Sequence, residues 1–147
     1  MLVRCLYASR SSAPLREPII EAILEQSHRN NPSRGVTGLL CYSGDVFIQV
    51  LEGGRDRVCD LFNTIIRDER HTNVRLLHFD EISARKFGGW TMGQANVGKA
   101  SQTILLKYSE KPELDPFVGS GAATMALLNE LLESGSITSR RTATRSR

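Results

Sequence analysis

Apolar residues recur at strand and helix spacings along the first third of the chain. Apolar and other residues alternate over 2–9, which predicts a strand with Val3, Cys5 and Tyr7 on one face. After a turn, helical spacing predicts a helix that begins near Pro18 and ends before Pro32. The stripe of this helix consists of Ile20, Ile23, Leu24 and Ser27.

The middle of the chain predicts a hairpin, a second helix and a fourth strand. Residues 35–53 form the hairpin, with Gly44 in its turn, and because both strands are apolar on both faces they are expected at the centre of a sheet. The second helix follows over 55–69, with Asp56 as its cap and a stripe of Val58, Leu61, Phe62 and Ile65. Residues 73–82 then predict the fourth strand.

A weak fifth strand is expected around Trp90 to Ala95, followed by two short helices, "SQTILLKY" and residues 122–133. The order βαββαββ favours an α+β, ferredoxin-like fold, in which two helices pack on one face of an antiparallel-rich sheet. A C-terminal helical cap completes it. We expect three regions, namely a domain over 1–97, a cap or output segment over 98–135, and a basic disordered tail over 136–147.

Composition and charge narrow the function classes. With 147 residues, 40% hydrophobic and 24% charged, the chain has the makeup of one globular domain. It has no run of membrane length and no signal-peptide layout, so we expect a cytoplasmic protein with no membrane contact. Removing the four arginines of the last eight residues takes the formal charge from +3 to −1. A nucleic-acid partner is therefore not expected.

The usual catalytic and metal-binding patterns are missing from the sequence. The three cysteines lie far apart in apolar segments, which is typical of buried, reduced thiols. The histidines, at 28, 71 and 78, do not have metal-ligand spacing, so no metal is expected. "GSGAA" lacks the lysine and the preceding strand of a phosphate-binding loop, and no nucleophile elbow is present.

Polar residues at apolar positions are more informative. Gln49 lies in a strand that is otherwise apolar, and an amide buried without partners costs about 1–3 kcal/mol. Tyr7 is on an inward strand face, Ser27 and Asn31 are near the end of the first helix, and "RDERH" closes the second. In a ferredoxin-like fold, a planar polar ligand between the two helices would meet all of them. A flavin fits, because amides match the alternating donors and acceptors of its pyrimidine edge.

Four motifs then suggest a family. The chain from 2 to about 97 resembles a BLUF domain, a flavin-binding blue-light sensor, through "CLYASR", "NNPSRGVTGLLCYSGDVFIQVLEG", "RDERH" and "FGGWTMG". The resemblance covers about two-thirds of the protein. It is specific because separate motifs agree in residue type, order and spacing.

The resemblance implies roles for individual residues. Tyr7 would be the photo-oxidisable tyrosine, and Gln49 would bridge it to flavin N5 and C4=O. Asn31 would bind the C4=O and N3 edge, and Trp90 or Met92 would lie near the glutamine. The remaining cofactor-binding positions are Ser27, Asn30 (where some relatives carry histidine), Asp68, Arg70 and His71.

The predicted function is that of a blue-light photoreceptor and not an enzyme. FAD is the expected cofactor, with FMN and riboflavin as alternatives. The signal would pass through the fifth strand and the cap to a separate effector, such as a cyclic-nucleotide enzyme or a transcription regulator, and a homo-oligomer is expected. Two other classes stay open at this point, a small flavin-dependent oxidoreductase and a ligand-free ferredoxin-like interaction module.

Overall fold

The computed structural model describes residues 1–13, 17–89, 92–97, 102–134 and 138–139. Within these ranges the strands are β1 (Leu2–Ser11), β2 (Thr37–Ser43), β3 (Val46–Gly54), β4 (His71–Ile82), β5 (Gly93–Asn96) and β6 (Thr138–Ser139). The helices are α1 (Glu17–Arg34), α2 (Arg55–Ile66), α3 (Gln102–Tyr108) and α4 (Gly121–Glu133). The predicted order of elements is confirmed, and β6 is an addition to it.

All six strands belong to one sheet, in the order β4-β1-β3-β2-β5-β6. β1 pairs antiparallel with β3 and β4, and β3 pairs antiparallel with β2, as the ferredoxin-like prediction requires. β5 joins the other side of β2 in parallel. The two hairpin strands are therefore central, as their apolar sequence predicted, and Gly44 makes the turn between them with φ 60°.

The two faces of the sheet carry separate cores. We call the face under α1 and α2 the helix face; its buried residues include Tyr7 and Leu51 from the sheet and Leu24 and Val58 from the helices. We call the opposite face the cap face, where α3 and α4 cover the sheet through Leu105, Leu127, Leu128 and Leu131. Because strand residues alternate between faces, each central strand contributes to both cores.

Several boundaries differ from the predictions. α1 continues past Pro32 to Arg34, because a proline in the last turn removes a single helical N–H, and Val36 N still donates to Asn31 O at 3.1 Å. The cap of α2 is Gly54 and not Asp56, since β3 runs directly into the helix and places Asp56 inside its first turn.

The ends of α2, β4 and β5 also move. α2 ends at Ile66, and β4 starts at His71, two residues before its predicted start. β5 is confined to Gly93–Asn96, so Met92 precedes the strand, and Trp90 lies outside the described residues. In the part of the chain that the structure describes, no helix is long and apolar enough to cross a membrane, and no cluster of metal-ligating side chains occurs.

The start of α4 packs so closely on β4 that only glycine fits there. A Cβ added to Gly121 would lie 2.5 Å from the Leu77 carbonyl oxygen, whereas one added to Gly119 would meet nothing closer than 3.6 Å. We expect Gly121→Ala to lower the free energy of unfolding by about 1–3 kcal/mol, because backbone must move to relieve the contact. Chemical denaturation, with Gly119→Ala as the control, measures the effect. Since alanine otherwise favours a helix over glycine, a stabilised Gly121→Ala protein would contradict this packing.

Candidate functional site

A cleft opens between α1 and α2 above the helix face of the sheet. Its empty space is about 700 Å³ when the open mouth is included. Residues from both helices, from the sheet below and from the turn after α2 line it: Tyr7, Ile23, Gln26, Ser27, Asn30, Asn31, Arg34, Leu40, Phe47, Gln49, Leu61, Thr64, Ile65, Asp68, Arg70 and His71.

Tyr7 and Gln49 form the polar centre of the cleft floor. They lie directly opposite each other in the β1–β3 register, and the Tyr7 hydroxyl donates to Gln49 Oε1. Both side chains are buried, with exposed fractions of 1% and 5%. The glutamine among apolar neighbours therefore has its acceptor satisfied by a tyrosine from the adjacent strand.

The other end of the Gln49 amide faces Met92. Gln49 Nε2 lies 3.6 Å from the Met92 sulfur, and the Met92 carbonyl oxygen is 3.3 Å from His28 Nε2. A thioether is a weak acceptor, and the described residues give Nε2 no other. Because its contact with the sulfur is weak, the Gln49 Nε2 group can make a stronger hydrogen bond to an acceptor on a ligand in the cleft. Of the two residues expected near Gln49, the structure describes Met92 there.

The Tyr7 phenol is held in its neutral form. Burial raises the pKa of Tyr7 well above its ordinary value, and Cys5 and Asp68 raise it further, while Arg70 lowers it. Phe62 of α2 packs against the Tyr7 ring, with 5.4 Å between centroids. The hydroxyl is thus a fixed proton donor to Gln49 at neutral pH.

Charged residues occupy one end of the cleft, after α2. Arg70 Nη2 contacts Asp68 Oδ2 at 2.6 Å and Gln26 Oε1 at 3.1 Å. The hydrogen bonds from Arg70 lower the pKa of Asp68, so this carboxylate stays ionised. Beside them, burial lowers the pKa of His71, whose Nδ1 lies 2.9 Å from Ser9 Oγ.

The C-terminal half of α1 supplies the amides of the cleft wall. Ser27, Asn30 and Asn31 line the cleft together because spacings of three and four residues share a helix face. Asn31 is 2% exposed, and the other two are half-buried. All eight predicted cofactor-binding residues thus line one cleft: Tyr7, Ser27, Asn30, Asn31, Gln49, Asp68, Arg70 and His71.

The sequence analysis did not identify the rest of the lining as part of the site. The additional wall and rim residues are Ile23, Gln26, Arg34, Leu40, Phe47, Leu61, Thr64 and Ile65. Helical spacing contained the signal for some of them, because Ile23, Ser27, Asn30 and Arg34 follow one face of α1. The apolar wall positions carry no distinctive signal, because an apolar stripe is equally typical of ordinary core.

Comparison with known sequences gives a consistent result. The family model BLUF, described as sensors of blue-light using FAD, matches residues 2–93. The blue light- and temperature-regulated antirepressor BluF of Escherichia coli (strain K12) is 36% identical over 90 residues, which is 60% of this chain and 22% of that protein. Photoactivated adenylate cyclase subunit beta of Euglena gracilis is 32% identical over 95 residues, 64% of this chain but 11% of that protein. The chain therefore spans only a small part of these relatives.

Solved structures resemble the chain over most of its length. The photo-activated state of BlsA superimposes with a TM-score of 0.79 at 30% identity, covering 90% of this chain and 95% of that one. The dark state of the BLUF protein BlrB gives a TM-score of 0.71 at 30% identity, with 91% and 96% covered. Both comparisons include the region of the helical cap. By its sequence and its fold, the chain belongs to the BLUF family.

Proposed function

We propose that this protein is a blue-light receptor that binds a flavin in the cleft between α1 and α2 and relays the signal to a separate effector. The hydrogen-bonded pair of Tyr7 and Gln49 on the cleft floor is the observation that carries the proposal. A tyrosine joined to an amide with unused donor capacity provides both a source for a proton and a group whose hydrogen bonds reverse.

The cleft matches the chemistry of a flavin ring system. Apolar side chains such as Ile23, Leu61 and Ile65 line the walls of the cleft, where they suit a flat aromatic ligand. Asn31 and Gln49 each carry a donor and an acceptor, which the pyrimidine edge requires. Asp68, Arg70 and His71 would hold the other part of the ring, with Ser27 and Asn30 along the α1 wall. The family description supports FAD, and we keep FMN and riboflavin as alternatives.

A bound flavin would supply a chromophore for blue light whose excited state is a strong one-electron oxidant. Tyr7 is held against Gln49 with its proton on the phenol oxygen, directed at Gln49 Oε1. If that flavin withdrew an electron from Tyr7, the phenolic proton would pass to Gln49 Oε1, and the donor that fixes the orientation of the amide would be lost. Gln49 would then rotate or change to its imidic tautomer, and either change would reverse the groups that it presents to the cleft and to Met92. The low dielectric of the floor keeps both arrangements well defined.

The state of the ionisable groups supports a sensor over an oxidoreductase. Three ionisable groups of the cleft are each hydrogen-bonded to another side chain: Tyr7 to Gln49, Asp68 to Arg70, and His71 to Ser9. Tyr7 would have to give up its bond to Gln49, and Asp68 its bonds to Arg70, to act as a general acid or base on a substrate. We therefore propose that the protein itself is not an enzyme.

The position of the cap supports a relay to another protein. α3 and α4 cover the cap face, opposite the cleft, and are joined to it through the central strands. We propose that residues 98–135 form the output segment, and that the effector is a cyclic-nucleotide enzyme or a transcription regulator, since similar proteins include an adenylate cyclase and an antirepressor. A homo-oligomer and a cytoplasmic location complete the proposal; the free, buried thiols of Cys5 and Cys41 suit a reducing compartment.

The proposed function is tested by the colour of the purified protein. We expect a yellow protein whose visible absorption shifts reversibly to the red under blue light and returns in the dark. It should not oxidise NAD(P)H at a rate above that of free flavin. A colourless protein, or a yellow one that turns over NAD(P)H without a reversible shift, would favour the interaction module or the oxidoreductase.

Replacing Tyr7 by phenylalanine is expected to keep the fold and the flavin but to abolish the red shift, because no phenolic proton remains. Removal of the hydroxyl bond to Gln49 should cost about 1–2 kcal/mol of stability. Absorption spectra before and after illumination check this. Tyr108→Phe is the matched control, since its hydroxyl also bonds a side chain but lies in the cap. A normal red shift in Tyr7→Phe would refute the role of the phenol.

Replacing Gln49 by leucine is expected to give a folded, yellow protein without a red-shifted state, because no amide is left to reverse. Leucine has similar volume, so the packing of β3 should tolerate it. The same spectra measure the effect, and Gln102→Leu, an exposed position at the start of α3, serves as the control that keeps its shift. If Gln49→Leu still forms the shifted state, another group must supply the switching hydrogen bond.

Replacing Met92 by alanine is expected to separate the photochemistry from the relay. The wild type should show light-dependent hydrogen exchange in residues 122–133, and Met92→Ala should reduce this change while its red shift persists. The cavity alone should cost about 2–5 kcal/mol, and Met92→Leu, which fills most of it, controls for that loss. A cap that does not respond to light even in the wild type would contradict a relay through this contact.

A further inference from the structure

A carboxylate is fully buried on β3, close to the switching glutamine in sequence. Glu52 is 0% exposed and lies on the cap face, three residues after Gln49. Its Oε1 accepts from the backbone N–H groups of Lys86, at 3.0 Å, and Phe87, at 2.8 Å. Its Oε2 accepts from Arg4 Nε at 2.7 Å and also from the Lys86 N–H at 3.1 Å. A buried charge is tolerated when donors surround it in this way.

The segment that Glu52 holds connects β4 to β5. Arg85 directly precedes Lys86 in this connection. Its Nη1 donates to Thr37 Oγ1 at 3.0 Å and lies 3.4 Å from the Glu52 carbonyl oxygen. Phe87 is buried in the core of the cap face. Three consecutive residues of the connection are thus tied to the sheet, at the end of β3 and the start of β2.

The same connection leads to Met92. Five residues after Phe87 the chain has reached the helix face, where Met92 is buried against Gln49 and His28. β5 then begins at Gly93 and pairs with β2. Two sets of contacts therefore fix where Met92 lies beside Gln49. The pairing of β5 with β2 holds the chain that follows Met92, and the Glu52 hydrogen bonds hold the chain that precedes it.

Resting on the proposed function, we propose that Glu52 is a positioning residue for the switch: its carboxylate anchors the β4–β5 connection and so determines where Met92 meets Gln49. The bonds to the Lys86 and Phe87 amides are charge-assisted and desolvated, so the anchor breaks as a unit and does not slide. When Met92 moves, only the chain after Phe87 moves with it, and this part of the chain includes Gly88 and Gly89. The anchor therefore directs the signal into β5 and keeps it away from β4.

Substitutions at Glu52 and at its partner separate the anchor from the ion pair. Glu52→Met removes the ion pair and the acceptors of both amides. Arg4→Met/Glu52→Gln also removes the ion pair, but it leaves neither charge unpaired and keeps one oxygen that is able to accept from both amides. The two variants and the wild type are compared by hydrogen exchange in the dark over residues 92–96, by the light-induced red shift and by its dark-recovery rate.

We expect Glu52→Met to keep the red shift but to exchange about tenfold or more faster over 92–96, and to change the dark-recovery rate about threefold or more. Arg4→Met/Glu52→Gln should stay within about twofold of the wild type in both measurements, because both amides keep an acceptor. A merely structural ion pair would instead make Arg4→Met/Glu52→Gln resemble Glu52→Met, since both variants lack it. That outcome, or a Glu52→Met protein identical to the wild type, overturns the proposal.

The wild type decides the matter if Glu52→Met does not fold. The amide protons of residues 86 and 87 should then open together with those of 92–96, with protection factors that agree within about threefold. Protection that differs by about tenfold or more would overturn the anchor. Dark exchange needs no photochemistry, so a wild type that lacks the red shift contradicts the proposed function, whereas uncoupled exchange contradicts only the role of Glu52.

Discussion

The hydrogen bond between Tyr7 and Gln49 depends on the β1–β3 register, and the cleft depends on both residues. The two are Cα partners in the antiparallel pair and point to the same face. A register slip of one residue would turn one of them into the cap-face core and leave a polar group unpaired there. The apolar residues around them fix that register, so the same strands that form the core also align the site.

β3 contributes side chains to the cores on both faces of the sheet. Its alternate residues place Gln49 under α1 and α2, while Ile48 and Val50 pack in the core of the cap face. Glu52, at the end of the strand, holds the connection that leads to Met92. Because cores are close-packed, a change of side-chain geometry on one face of this strand would be transmitted to the other. β3 is therefore the route that we propose for a signal from the cleft to the cap.

Periodicity in the sequence was sufficient to predict the order of elements, the central hairpin and both helical stripes, because burial on one face imposes it. The polar residues at apolar positions identified the cleft, because burial otherwise excludes polar side chains from those positions. Details that depend on tertiary connections were not predictable, such as the Gly54 cap of α2 and the place of Met92 before β5. Glu52 was overlooked although it is an acid at the end of a buried strand, the same kind of anomaly as Gln49.

We propose that light changes the hydrogen bonding that Gln49 presents to a flavin carbonyl in the cleft. Light-minus-dark infrared spectra of protein carrying flavin labelled with carbon-13 at C4 follow that carbonyl alone. We expect the labelled C4=O stretch to move reversibly to lower frequency in the light, because the carbonyl gains a hydrogen bond. An isotope-sensitive band that stays at the same frequency while the visible absorption shifts would contradict it.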